Sequence, residues 1–356
     1  MRVPAILALF LTVALPAQGQ TAPAATAGLP SDPRAVFATA APFYNFTSPE
    51  LKPWHLKASY QLYDGKGNPA DQGTFEYWWA SPKVYRSSWT RPGVNASDWN
   101  TDEGARLRKA SGNPQRYFER NLNTILFTPL PSQALLNSGR VKLDLKMVPV
   151  GSGRLACVSS ALQWEQGGNL AAPSSAVPDY YCFDPSLLAL RMEYSNTLTT
   201  EFSHIVKTQG RYLPRSIVVS AGKRKIFAVS VEAIEGISPD DTALVPPADA
   251  ILEHEPPSRQ SEGSDGGVIE GVLVKKTQPV YPLMAKMAHE QGIVILAAVI
   301  GTDGRIHDLE VVASPSPLLA DAAVDAVKRW EYKPYLLNGS AVEVETTINV
   351  TFALGQ

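Results

Sequence analysis

The chain has 356 residues and a mass of 38.5 kDa, enough for about two domains. Its 44% hydrophobic and 19% charged content excludes disorder over most of the length. With 32 basic against 34 acidic residues, no net field exists to gather nucleic acid or to hold the protein on an anionic membrane surface.

The N-terminus opens with Arg2, an apolar run from Val3 to Ala17, and then Gln18-Gly19-Gln20. A basic start, an apolar middle and small residues at Ala17 and Gly19 form the pattern of an export signal. A run of this length spans roughly 22 Å as a helix, against the ~30 Å of a bilayer core. Cleavage after Gly19 is therefore the expectation, with an uncleaved inner-membrane anchor as the alternative. No cysteine follows the run, which excludes a lipoprotein anchor. The expected segments are a signal at 1–19 and a Pro/Ala-rich leader at 20–34, and the expected compartment is the periplasm.

Residues 35–237 read as an antiparallel β-rich domain. A helix is predicted around Pro33–Phe46. In Trp54–Leu62 apolar and polar residues alternate, as a half-buried strand requires. Phe75, Tyr77 and Trp79, then Tyr85, Ser87 and Trp89, keep the same period. After turn signals such as Asp64–Pro69, a second helix is predicted near Arg116–Thr128. Alternation returns at Val141–Met147 and at Phe227–Ala233 after a turn at Gly222. Cys157 and Cys182, the two cysteines, both lie in β-prone surroundings, and in an oxidising compartment one disulfide is the simplest outcome. The histidines are scattered singly, so neither a metal nor a cofactor is expected. From Ser238 to Gly267 five prolines and a Ser/Gly tract predict a flexible linker.

Residues 268–356 predict a small α+β sandwich. Tyr281-Pro282 opens a short helix with Leu283, Met284, Met287 and Ala288 as its apolar face, stopped by Gly292. Ile293–Ile300 is an apolar strand, Asp303-Gly304 a tight hairpin turn, and Arg305–Ala313 the return strand. Ser316-Pro317 reads as N-cap and first helical residue, with Leu319, Ala323, Ala326, Val327 and Trp330 at helical spacing. A final alternating strand runs over Val342–Phe352, its apolar side set toward the helices and its polar side (Glu343, Glu345, Thr347, Asn349, Thr351) toward solvent.

Tyr281-Pro282, Gly292, Asp303-Gly304, the string Val327-x-x-Trp330-x-Tyr332-x-Pro334, Asn338-Gly339 and Ile348-x-Val350-x-Phe352 together resemble the C-terminal domain of the TonB family. Ser314-Pro315 and Ala320-Asp321 depart from its usual residues. The resemblance implies a periplasmic protein contact in which a sheet edge takes up an extended segment of an outer-membrane transporter or other envelope complex. The implied edge is Glu343, Val344, Glu345, Thr346, Thr347, Ile348, Asn349, Val350, Thr351 and Phe352. Glu343 and Glu345 equally suit gatekeepers that block edge pairing, and both readings stand. Trp330 and Tyr332 are expected in the core, and Tyr281-Pro282 as a packed helix start. A full energy transducer of this family would keep its N-terminal helix as an anchor.

The alternating aromatics of residues 35–237, with a covering helix, resemble the half-barrel of LolA-like periplasmic lipoprotein carriers. That likeness implies a lipid or lipoprotein ligand, whereas the aromatics by themselves suit a sheet core. No enzyme is expected. His289–Ile293 holds half of a zinc-protease motif, and Ser220-x-x-Lys223 falls in a turn rather than at a helix start. The basic runs Arg106–Lys109 and Lys223–Lys225 read as solvated hairpin tips.

Overall fold

The computed structural model describes residues 29–166, 169–171, 178–195, 197–252, 258–259, 273–337 and 339–354. The expected signal (1–19), the leader up to residue 28 and much of the expected linker lie outside them. In chain order the first part carries α1 (Pro33–Ala40), β1 (Trp54–Tyr63), β2 (Pro69–Trp79), β3 (Tyr85–Arg91), β4 (Val94–Asn100), β5 (Arg106–Gly112), α2 (Tyr117–Phe127), α3 (Gln133–Asn137), β6 (Val141–Val150) and β7 (Gly153–Leu162). A small hairpin, β8 (Trp164–Gln166) and β9 (Asn169–Ala171), leads to β10 (Asp179–Phe183), β11 (Leu190–Ser195), β12 (Leu198–Thr208), β13 (Arg211–Ala221), β14 (Arg224–Gly236) and β15 (Ile251–Leu252). The second part holds β16 (Ser258–Arg259), β17 (Leu273–Lys275), α4 (Leu283–Met287), β18 (Gly292–Ile300), β19 (Ile306–Ala313) and α5 (Pro317–Val327). It closes with β20 (Glu331–Tyr332), β21 (Tyr335–Leu337), β22 (Ser340–Val342) and β23 (Val344–Phe352).

The first part is one open 13-stranded sheet in the order β15-β5-β4-β3-β2-β1-β14-β13-β12-β11-β10-β7-β6. It is not a simple meander. β1 to β5 step outward in one direction, and β14 closes back against β1, pairing Trp54 with Gly236 and Leu62 with Phe227. Alternation decides the faces: Trp54, Leu56, Ala58, Tyr60 and Leu62 of β1 are all buried, toward the side that carries α1 and α2. The predicted aromatics fill that side, with Trp54 stacked on Tyr77 and Trp79 and set edge-on to Phe127 of α2. They are core, and each buries a large apolar area with ring geometry that adds about 0.5–1.5 kcal/mol per pair.

Helix α1 begins where Asp32 accepts a hydrogen bond from the Arg34 N–H and Pro33 sits at the first turn, a start that leaves few orphan donors. Helix α2 is tied down by charge as well as by Phe118, Leu122, Leu126 and Phe127. Glu119, fully buried, accepts from the Tyr60 hydroxyl, from Arg91 Nε at 2.8 Å and from the Arg116 N–H at 2.7 Å. Arg116 in turn reaches Asp71 at 2.8 Å.

Cys157 and Cys182 face one another across β7 and β10 and are bonded. They are 25 positions apart, so the bond restrains a medium loop in the unfolded chain, worth roughly 3 kcal/mol. Replacing both by serine is expected to lower the unfolding free energy by about that amount, read as a fall in the urea midpoint against wild type under oxidising and reducing conditions. Equal midpoints for wild type with and without reductant would contradict it.

Part of the expected linker is folded. Ile251 and Leu252 pair with Arg108 and Leu107 on the edge of β5, Leu244 is buried, and the Ala243 carbonyl accepts from Trp99 Nε1 at 3.0 Å. Proline-rich composition hid this because strand pairing draws on backbone groups, and the two pairing residues carry no turn residue. The run Arg106–Lys109 lies within β5 rather than at a hairpin tip, with Arg108 on Asp98 at 3.3 Å and Lys109 on Asp249 at 2.8 Å.

The second part is a four-stranded sheet ordered β16-β23-β18-β19. One face, with Val294, Leu296, Ile348, Val350 and Phe352, packs on Leu319, Ala323 and Val327 of α5. Helix α5 starts as predicted, with Ser316 Oγ accepting from Leu319 N–H and Pro317 behind it. It stops at Val327, so Trp330 enters the core from beyond the helix, its indole N–H donating to the Thr277 carbonyl at 2.8 Å. Helix α4 departs from expectation: Leu283, Met284 and Met287 are 71%, 64% and 67% exposed, and Ala285 is the buried residue. With five residues, α4 has room to seat one side chain on the sheet, so the predicted apolar face turns outward. The predicted final strand is shorter at its start, because Ser340–Val342 pairs with Tyr335–Leu337 as a separate hairpin.

Candidate functional site

The two parts meet through the second face of the C-terminal sheet. Ile295 and Ala297 of β18 and Val312 and Ala313 of β19 are buried in the core of the first part, where a large aliphatic side chain contributes about 1.5–3 kcal/mol. Around them lies a polar clasp. Glu310 accepts from the backbone N–H of Tyr117, the first residue of α2, at 2.8 and 3.0 Å, a position where a carboxylate also complements the helix dipole. Arg120 spans to Glu310 at 3.4 Å and to Glu345 at 3.0 Å. Burial raises the Glu310 carboxyl above its ordinary range, against the lowering pull of the Tyr117 N–H and Arg120.

This arrangement corrects the expectation that the polar side of the final strand faces solvent throughout. Glu343, Asn349 and Thr351 are exposed, but the Glu345 side chain is 13% exposed and ion-paired, and Thr347 lines a cavity. Ile348, Val350 and Phe352 are buried toward α5 and Val344 beside Ile300 and Tyr335, while Thr346 is half-buried. On its outer edge β23 is met by β16, which runs parallel to it and pairs Ser258 with Val344 and Arg259 with Glu345. The segment that joins the two parts thus adds a short strand to the edge singled out from the sequence.

The motif residues gather around that sheet. The Tyr281 ring sits edge-on to Phe352, 5.4 Å between centroids, and its hydroxyl donates to the Glu290 carbonyl; Pro282 caps α4. Trp330 is buried, and Tyr332 packs against both apolar clusters of this part. Gly304, at φ +79°, accepts from the Tyr332 N–H at 2.8 Å, and a Cβ there would lie 2.0 Å from the Tyr332 carbonyl oxygen. Asp303 accepts from the Arg305 N–H and from His307, which hold its carboxyl below the usual range. Gly292 opens β18 opposite Phe352, and Pro334 precedes β21.

The cavity between the parts measures about 280 Å³ and is walled by α2 and its following loop, by β10 to β13, and by β18, β19 and β23. Its walls are mainly apolar and aromatic: Phe118, Ile125, Leu130, Tyr181, Leu198, Val219, Ile295 and Val312. Glu193 of β11 also lines it, opposite Tyr181 and Thr200 in the sheet register. Burial pushes the Glu193 carboxyl up to about 8, and Asp179 adds to the rise. Asp179 is itself raised by burial, against a hydrogen bond with Ser195. Neither Glu193 nor Asp179 was singled out from the sequence. The signal was there in phase: Asp179 alternates with Tyr181 and Phe183, and so faces inward.

With this geometry in place, the C-terminal part finds its relatives. Residues 277–354 match the family model of the Gram-negative bacterial TonB protein C-terminal. Protein TonB of Vibrio cholerae serotype O1 is 27% identical to this chain over 109 residues. That match takes in 28% of this chain and 45% of the relative, so the chain spans about half of that protein's length. Among solved structures, a LolA superfamily protein from Nitrosomonas europaea is 8% identical, covering 60% of this chain and 97% of its own, at a TM-score of 0.36. A DUF1329 family protein from Desulfovibrio piger is 10% identical, covering 60% and 98%, at a TM-score of 0.37. Among the described residues no helix is long and apolar enough to cross a membrane, and no cluster of metal-ligating side chains occurs.

Proposed function

We propose that this is an exported periplasmic TonB-like protein that binds an extended segment of an envelope partner, an outer-membrane transporter in the first instance, by strand addition to β23 in association with transmembrane transport. The observation that supports the reading is the backbone pairing of Ser258–Arg259 with Val344–Glu345, a short parallel strand of this chain laid on the start of that edge. The first domain then holds the TonB-like domain through the Arg120 clasp, and no catalytic step is involved. Titration of N-terminal transporter peptides into the isotope-labelled full chain is expected to shift and protect amides over 344–352. Unmoved edge amides at millimolar peptide would end the reading. If the N-terminal run is retained, the same protein is an anchored transducer, and N-terminal sequencing of protein recovered from cells separates the two: a Gln20 start excludes the anchor.

A second reading is favoured by the cavity. At about 280 Å³ it falls near the lower end of ligand-pocket sizes, and its walls are mainly apolar. The first domain then carries a lipid or lipoprotein chain, with the TonB-like domain as its cover.

A further inference from the structure

We propose that the cavity between the first sheet, α2 and the TonB-like sheet takes a single-chain amphiphile with an ammonium head, seated at Glu193. The proposal rests on the carrier reading above and names the chemical class of its ligand. The walls provided by Phe118, Ile125, Leu198, Ile295 and Val312 suit an aliphatic chain, whose burial is favourable in proportion to its apolar area. Against this apolar lining, Glu193 is the acidic side chain that borders the cavity.

Among the described residues Glu193 makes no hydrogen bond or ion pair, and Asp179 is the charged neighbour that acts on it. The cation on its own strand, Arg191, acts instead on Tyr44 and Asp184. From the other elements that line the cavity, the facing groups are Tyr117 of α2, Tyr181 of β10 and Thr347 of β23. The remaining nearby charges, Arg120 with Glu310 and Glu345, pair with one another. A carboxyl on a mainly apolar wall, with the second carboxyl of Asp179 acting on it, is costly to ionise. An anionic head would add a third negative charge, and a neutral head would leave the site as it is. An ammonium head pairs with the Glu193 carboxylate and displaces its proton.

The test is calorimetric titration of the full chain with dodecylammonium and dodecanoate below their micelle concentrations and dodecanol below its solubility limit. At pH 8 dodecylammonium is expected to bind at least about tenfold more tightly than either of the others. Its affinity should rise about tenfold per pH unit between pH 6 and 8 and level off above, because below about 8 each binding event must release a proton. Glu193→Gln should remove both the preference and the pH dependence, and a variant that kept either would overturn the ammonium assignment. Equal affinities, a preference for dodecanoate, or a pH-independent preference in wild type would overturn the ammonium assignment while the carrier reading stands. If none of the three binds, the carrier reading fails and takes the assignment with it.

Discussion

Glu119→Ala is expected to destabilise the protein by about 3–5 kcal/mol, read as a fall in the urea midpoint at constant slope. Glu119 is fully buried and receives three donors: the Tyr60 hydroxyl from β1, Arg91 Nε from β3 and the Arg116 N–H at the start of α2. Its removal strands a guanidinium whose side chain is 5% exposed, and it also uncaps the helix. Glu119→Gln keeps the shape and one acceptor, so it should fall between alanine and wild type. A loss below about 1 kcal/mol for alanine would show that Arg91 finds Asp71, now 4.0 Å away, as a full substitute.

The same cluster sets an alkaline limit. The Tyr60 hydroxyl is raised above its ordinary value near 10 by burial and by its hydrogen bond to Glu119. The folded state therefore keeps a proton that the unfolded state loses, so stability is intact below pH ~10 and falls as pH rises beyond it. In Glu119→Ala this alkaline fall should still begin near pH ~10 but be smaller in total, because the folded-state hydroxyl is then raised less.

Gly304→Ala is expected to cost more than about 3 kcal/mol, while Gly222→Ala costs about 1–2 kcal/mol. Both glycines hold positive φ in hairpin turns, +79° and +59°, and both substitutions incur the left-handed penalty of roughly 1–2 kcal/mol. They differ in surroundings. No atom lies within 4 Å of a Cβ added at Gly222, whereas one added at Gly304 would meet the Tyr332 carbonyl oxygen at 2.0 Å. Relief requires breaking the Tyr332 N–H bond to Gly304 and the Arg305–Glu331 bridge beside it, which join the β18–β19 hairpin to the strand after α5. Equal losses for the two variants, measured by equilibrium unfolding of the full chain, would mean that turn strain alone explains Gly304.

Much of the local structure was legible because its causes are local. Asp32-Pro33 and Ser316-Pro317 are caps that work through side chains two or three residues away. The alternation at Trp54–Leu62 needs a period of two, and Cys157 with Cys182 needed an expected compartment and two β-prone settings. Legibility failed where composition and phase mislead. Ile251–Leu252 pairs with β5 by backbone alone, inside a stretch whose prolines suggested a linker. Leu283, Met284 and Met287 follow helical spacing, but α4 is too short to turn them all inward. Glu345 was assigned to solvent because its partner, Arg120, lies 225 positions earlier, beyond any window that reads periodicity.

The near-neutral charge and two-part length with which the sequence begins conceal an asymmetry. Residues 35–250 carry a net +3 and residues 268–356 a net −3. The sequence by itself determined that there are two β-containing parts of opposite charge, where their strands and caps begin, and that the second resembles the TonB C-terminal domain. Only the tertiary structure decided that Arg120 of the first part meets Glu310 and Glu345 of the second, that β16 lies on the β23 edge, and that a cavity lined by Glu193 lies between them. The physical reason is that periodicity and capping act within a few residues, whereas ion pairs, edge strands and cavities depend on which distant faces come together.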